Sequence, residues 1–223
     1  MSDKTYVKRY SALARANHWV TAISLVLLAI SGMALFHPSL YFLSGLFGGG
    51  ANAREFHPWI GLVLAISFLG LFFRFWRLNL WERTDNVWLS RLRSVLAGRE
   101  EDLPEIGKYN AGQKMVFWFM SILIVVLFLS GVVLWDDSHE WLAANLGLSF
   151  TIEQSRIAVL VHAIAAVIAI VVWIVHVYAA IWVKGTLSAM IRGKVTGGWG
   201  WRHHRRWLRE EFGKGAKGTP PAE

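Results

Sequence analysis

The run Val161-His162-Ala163-Ile164-Ala165-Ala166-Val167-Ile168-Ala169-Ile170-Val171-Val172-Trp173-Ile174-Val175-His176 decides the fold of this chain. It contains no charged residue, Pro or Gly, and two histidines close it at either end. The apolar character extends on both sides, over about Ile157 to Val183, long enough to cross a bilayer core of about 30 Å. His162 and His176 are separated by 176 − 162 = 14 residues, about four helical turns, so both rings point the same way. At about 1.5 Å per residue they lie roughly 21 Å apart along the axis, about two-thirds of the hydrocarbon thickness. An ionisable side chain at membrane depth is costly and marks a function by default.

Three further stretches have the same character: about Trp19 to Phe36, Pro58 to Phe75 and Met115 to Trp135. None of the four carries Asp, Glu, Lys or Arg away from an end, Arg74 being the one charge, at the tail of the second. In hydrocarbon the backbone must satisfy its own hydrogen bonds, so these segments are predicted to be helices. At 55% hydrophobic residues and a mean hydropathy of +0.40, a chain of 223 residues has more apolar surface than a soluble fold of this size hides. The expected fold is an all-α integral membrane protein, a four-transmembrane-helix bundle. Its domains are a cytoplasmic N-terminal arm 1–17, the membrane domain 18–183 including a cytoplasmic loop 76–113, and a basic tail 184–223. The arm has the character of an amphipathic helix, the last ten residues read as disordered, and no internal repeat is evident. Lys4, Lys8, Arg9 and Arg15 precede the first apolar run, but it starts late and lacks a small-residue cleavage site, so it reads as a retained span.

Charge orients the spans. Of 23 Lys and Arg, only Arg54 and Arg156 fall in the loops after the first and third spans. The other 21 flank the opposite ends, which places both termini and the middle loop in the cytoplasm. This topology also accounts for the net charge of +8, leaving no need for a nucleic-acid partner. The chain has no Cys, which excludes disulfides, thiolate-held iron–sulfur clusters and covalent haem attachment within it.

With that orientation His18 and His176 share the cytoplasmic depth, and His57 and His162 share the outer depth. Pro58 suits the first turn of the second helix. Two imidazoles from different helices at one depth are what clamping a planar macrocycle requires. Two axial histidines leave a haem iron no open position, so such a group carries electrons rather than binding oxygen or substrate. Gly32, on the face of His18 at the opposite depth, and Ala165, Ala166 and Ala169 would make room for it; small residues at helix contacts are also ordinary membrane packing. His37, His139, His203 and His204 read as surface residues, His37 being the one substitute for His57. A second cluster, Gly107-Lys108-Tyr109-Asn110-Ala111-Gly112-Gln113-Lys114, precedes the third helix. Asn110 is a good N-cap, and the free N–H groups of a helix start would serve a quinone carbonyl. The plain alternative is an ordinary capped helix start.

Nearly the whole chain resembles the gamma, cytochrome b subunit of bacterial respiratory membrane-bound formate dehydrogenases. The resemblance is carried by Arg15-Ala16-Asn17-His18-Trp19, Phe56-His57-Pro58, the Gly107 to Lys114 string, Val161-His162-Ala163, His176-Val177-Tyr178 and Trp182-Val183-Lys184-Gly185. His203-His204-Arg205-Arg206-Trp207 is similar to a His-His-Pro-Arg-Trp pattern, with Arg205 in place of the proline. The resemblance implies two haems b, ligated by His57 with His162 and by His18 with His176. It implies a quinone (menaquinone or ubiquinone) at Asn110, Gly112, Gln113 and His176. It also implies an iron–sulfur beta subunit and a molybdenum or tungsten pterin alpha subunit on the periplasmic side, with heterotrimers that can associate further, in the bacterial inner membrane. The chain itself would not act on formate. It would pass electrons from the outer haem to the inner one and on to quinone. The same scaffold serves hydrogenases and other periplasmic oxidoreductases, and a haem-free proton relay would also place histidines in the membrane.

Overall fold

The structure is a computed structural model and describes residues 5–217. Four long helices dominate it: α1 (Ala12–Phe36), α2 (Gly50–Phe75), α5 (Ala111–Leu134) and α7 (Ile152–Trp182). They have 25, 26, 24 and 31 residues, or about 36–46 Å at 1.5 Å per residue, enough to cross the bilayer core. A helix that is apolar on all sides belongs in a membrane, and the most apolar windows of these four are only 17–22% buried within the chain. Ile66, Phe73, Ile122, Leu160 and Ile181 all face outward, where lipid or a partner solvates them. The chain is a multi-pass membrane protein.

The helices run further than the apolar runs alone suggest. α1 starts at Ala12, six residues before His18, and α2 starts at Gly50. Pro58 therefore lies inside α2, not in its first turn. The outer connections are also folded. A 3-10 helix, Pro38–Phe47, ends at Gly48, whose φ of +82° lets the chain turn back into α2. Helix α6 (Asp136–Leu146) occupies most of the connection between α5 and α7.

The chain divides into two compact units. One consists of Ala16–Arg74 and Phe119–Val177, the apolar parts of the four helices. Inside it Thr21 donates to Ser67 at 3.0 Å, joining α1 to α2. Gly70 accepts the Asn17 side chain in the place a Cβ would take.

The other unit gathers the residues up to Arg15, Phe75–Trp118 and the chain from Tyr178. It holds α3 (Arg83–Ser90), α4 (Leu92–Leu96), α8 (Thr186–Ile191), α9 (Gly197–His203) and α10 (Arg205–Lys217). Among the described residues of the N-terminal arm, Tyr6–Lys8 form a strand rather than the expected amphipathic helix, and helix starts only at Ala12. This strand, β1 (Tyr6–Lys8), pairs antiparallel with β2 (Lys194–Thr196), Val7 opposite Val195. Val195, Trp199, Trp207 and Leu208 form the apolar centre of this unit, with Val7 and Tyr10 against it. Helix α10 continues to Lys217, so of the ten C-terminal residues read as disordered, 218–223 lie outside the described residues and 214–217 are helical.

Candidate functional site

The four membrane histidines meet in the two pairs that depth predicts. The ring centroids of His57 and His162 are 6.2 Å apart, and those of His18 and His176 are 6.3 Å apart. A metal between two imidazole nitrogens, about 2.0–2.1 Å from each, with each nitrogen about 1.1 Å from its ring centre, sets collinear centroids about 6.2–6.4 Å apart. Both pairs fit an iron held on two axial positions, which is the donor set of an electron-carrying haem. Among the described residues there is no group of three or more His, Cys, Asp or Glu placed to hold a metal ion.

The His57–His162 pair is held by two serines. Ser31 Oγ on α1 is 2.7 Å from His57 Nδ1, and Ser130 Oγ on α5 is 2.9 Å from His162 Nδ1. A glycine follows each serine, and each glycine packs on the same ring. A Cβ at Gly32 would lie 3.4 Å from His57 Cε1, and one at Gly131 would lie 3.5 Å from His162 Cε1. Gly32 thus leaves room for the His57 ring. Neither serine nor Gly131 stands out in a linear reading, because small residues are frequent in membrane helices. The recoverable signal is the repeated Ser-Gly dipeptide, Ser31-Gly32-Met33-Ala34-Leu35 and Ser130-Gly131-Val132-Val133-Leu134. On α7, Ala165 and Ala169 are buried and Ala166 is partly so, along the stretch between His162 and His176.

The string before the third span is a reciprocal helix cap. Asn110 Oδ1 accepts from the Gln113 N–H at 2.9 Å, and Gln113 Oε1 accepts from the Asn110 N–H at 3.0 Å. Gly112 faces the Trp88 ring, 3.3 Å from where its Cβ would stand. Next to the cap, Lys114 donates to Asp85 at 2.7 Å and to the Leu80 carbonyl at 2.9 Å, with Glu82 at 3.7 Å. Lys114 and Asp85 are 2% and 1% exposed, so neither charge can be left alone without a large desolvation penalty.

Of the remaining histidines, His37 is exposed and caps the 3-10 helix by accepting from Ser39 N–H. His57, not His37, faces His162. His139 bonds the Val133 carbonyl, and His203 contacts Glu100 at 2.6 Å. His204 is not a surface residue: it is 1% exposed. Its Nδ1–H donates to the Gly107 carbonyl at 2.9 Å, and its Nε2 accepts from Arg9 at 3.2 Å. Burial, then the Arg9 charge, hold its pKa well below the usual imidazole range, so it stays neutral. Arg9 itself is 4% exposed and sits over the rings of Trp207 and Trp199, at 4.6 and 4.9 Å.

The sequence profile described as prokaryotic cytochrome b561 matches residues 9–193. The chain is 41% identical over 210 residues to the formate dehydrogenase, cytochrome b556(fdo) subunit of Escherichia coli strain K12, covering 94% of this chain and 95% of that one. It is 37% identical over 210 residues to the nitrate-inducible formate dehydrogenase cytochrome b556(Fdn) subunit of the same strain, covering 94% of each. It is 34% identical over 213 residues to the formate dehydrogenase, cytochrome b556 subunit of Haemophilus influenzae, covering 95% of this chain and 86% of that one.

Proposed function

The chain belongs to the prokaryotic cytochrome b561 family, and from that premise we propose that it is the membrane cytochrome b subunit of a formate dehydrogenase, carrying electrons between a partner subunit and a quinone. It is a non-catalytic part of the enzyme and does not act on formate itself. The observation that carries the reading is the spacing of the two histidine pairs, 6.2 and 6.3 Å between ring centres.

Haem b, which the family implies, would supply reversible one-electron carriage. Two such groups would be held, one by His57 and His162 and one by His18 and His176. Ser31 and Ser130 would fix the first pair of rings. The protein's contribution is position and electrostatics, the redox chemistry being the cofactor's.

The quinone is held at Asn110, Gly112 and Gln113, with His176 as the resemblance implies. Both capping side chains use their amide oxygens on the backbone. Their NH2 groups are then the donors a quinone carbonyl requires. The donor to the outer pair is an iron–sulfur beta subunit, itself fed by a molybdenum or tungsten pterin alpha subunit in the periplasm. Both termini are cytoplasmic, on the strength of the 21 Lys and Arg that avoid the two outer connections, and the membrane is the bacterial inner membrane, as the resemblance implies. A hydrogenase cytochrome b would keep the same four ligands, and the formate reading rests on the relatives.

The test is the absorption spectrum of the complex purified through this chain. Adding formate develops the reduced b-type bands, and a soluble quinone analogue then abolishes them. Bands that do not respond to formate would assign the chain to another oxidoreductase.

A further inference from the structure

The two histidine pairs differ in what their outer ring nitrogens touch. Ser31 meets His57 Nδ1 at 2.7 Å and Ser130 meets His162 Nδ1 at 2.9 Å. Each hydroxyl also lies against a carbonyl one turn back on its own helix, Leu27 at 2.8 Å and Val126 at 2.7 Å. A hydroxyl has one proton, and a carbonyl oxygen only accepts. The serine proton therefore goes to the carbonyl, and the serine oxygen faces the imidazole as an acceptor. Nδ1 of His57 and of His162 must then carry the ring proton, which leaves Nε2 with its lone pair free for a metal. His18 has no such neighbour: its Nδ1 is buried without a hydrogen-bond partner among the described residues.

We propose that Ser31 and Ser130 are positioning residues that lower the reduction potential of the centre held by His57 and His162 relative to the one held by His18 and His176; the proposal rests on the ligand assignment made above. A ligating imidazole that donates its second N–H is fixed in tautomer and orientation and becomes a more basic ligand. A more basic ligand favours the ferric state, and hydrogen bonding around axial ligands is one of the levers by which a protein sets a haem potential. The fold thus makes two chemically similar bis-histidine sites unequal, with the more reducing one at the depth of His57.

The test is potentiometry on the intact complex, with haem content measured on the same samples. In Ser31→Ala both haems are retained and one potential rises, while the other stays at its wild-type value. The expected shift is about tenfold in the ferric-to-ferrous equilibrium, or about 59 mV for a one-electron couple. The centre that moves is the one missing from His57→Ala. Ser130→Ala moves the same centre in the same direction, and it carries the test alone if Ser31→Ala does not assemble. Ser31→Thr, which keeps the hydroxyl, restores the wild-type value. Unmoved potentials with both haems present, or a shift in the centre lost from His176→Ala, would overturn the proposal. A His57→Ala protein that keeps both haems would instead overturn the ligand assignment beneath it.

Discussion

His18, near the start of the first long helix, and His176, near the end of the last, face each other with their ring centres 6.3 Å apart. The same spacing recurs between His57 and His162. On the proposed ligation, replacing one imidazole of either pair would remove a ligand from one site and leave the other site intact. His176→Ala and His162→Ala are each expected to lose one haem, and different ones, so that their reduced spectra together account for the wild-type spectrum. Haem quantification and low-temperature spectra of the two variants check this. Two variants that lose the same component would mean that the four histidines serve one site.

Lys114 and Asp85 form an almost fully buried ion pair at 2.7 Å. Removing one partner of such a pair typically costs about 3–5 kcal/mol, because the other charge stays buried. Asp85→Ala is expected at the low end, since the Leu80 carbonyl and Glu82 still face the ammonium. Denaturant unfolding in detergent measures it, and a loss below about 1 kcal/mol would mean that the pair is hydrated in solution.

His204 predicts a pH dependence. Burial first, then Arg9, keep it neutral when folded, whereas the unfolded imidazole titrates near 6.5. Below that value the unfolded chain takes up a proton that the folded chain refuses, so stability is full above about 6.5 and falls as the pH drops. His203, lowered to about 4 chiefly by burial, acts in the same direction. The melting temperature is expected to be flat above neutrality and to decline below it, with a shallower decline in His204→Gln. Equal slopes in the two proteins would show that His204 takes its proton while folded.

The parts that were legible in the sequence and the parts that were not differ for physical reasons. The four spans and their histidines declare themselves because apolar runs of this length are costly outside a membrane, and ionisable groups are costly inside one. Ser31 and Ser130 are silent because a serine bonding its own helix carbonyl is ordinary in a span, and only the facing ring gives it a second role. His204 read as exposed because a basic surrounding sequence usually is. Its burial comes from Arg9, Gly107 and Trp207, segments far apart along the chain that three-residue strands and short helices bring together, with no periodicity to announce it. Pro58 misled in a smaller way, since α2 begins at Gly50 and tolerates the proline inside it.

The cap at Asn110 allows the quinone assignment to be separated from local stability. Asn110→Ala removes the acceptor for the Gln113 N–H and is expected to cost about 1 kcal/mol as a lost cap. It should also slow electron delivery to quinone while formate still reduces both haems. Gly112→Leu must displace the Trp88 ring and is expected to stop quinone reduction with both haems bound. Stopped-flow spectra of haem reduction and reoxidation separate the two steps. Wild-type quinone turnover in both variants would leave this string as a helix cap only.

The most direct test of the whole account is the number of haems b per polypeptide in the intact purified complex, from pyridine haemochrome absorbance against quantitative amino-acid analysis. Two histidine pairs at haem spacing predict two haems per copy of this chain, released by acid and acetone because no cysteine tethers them. One haem per copy, or none, would contradict the pairing.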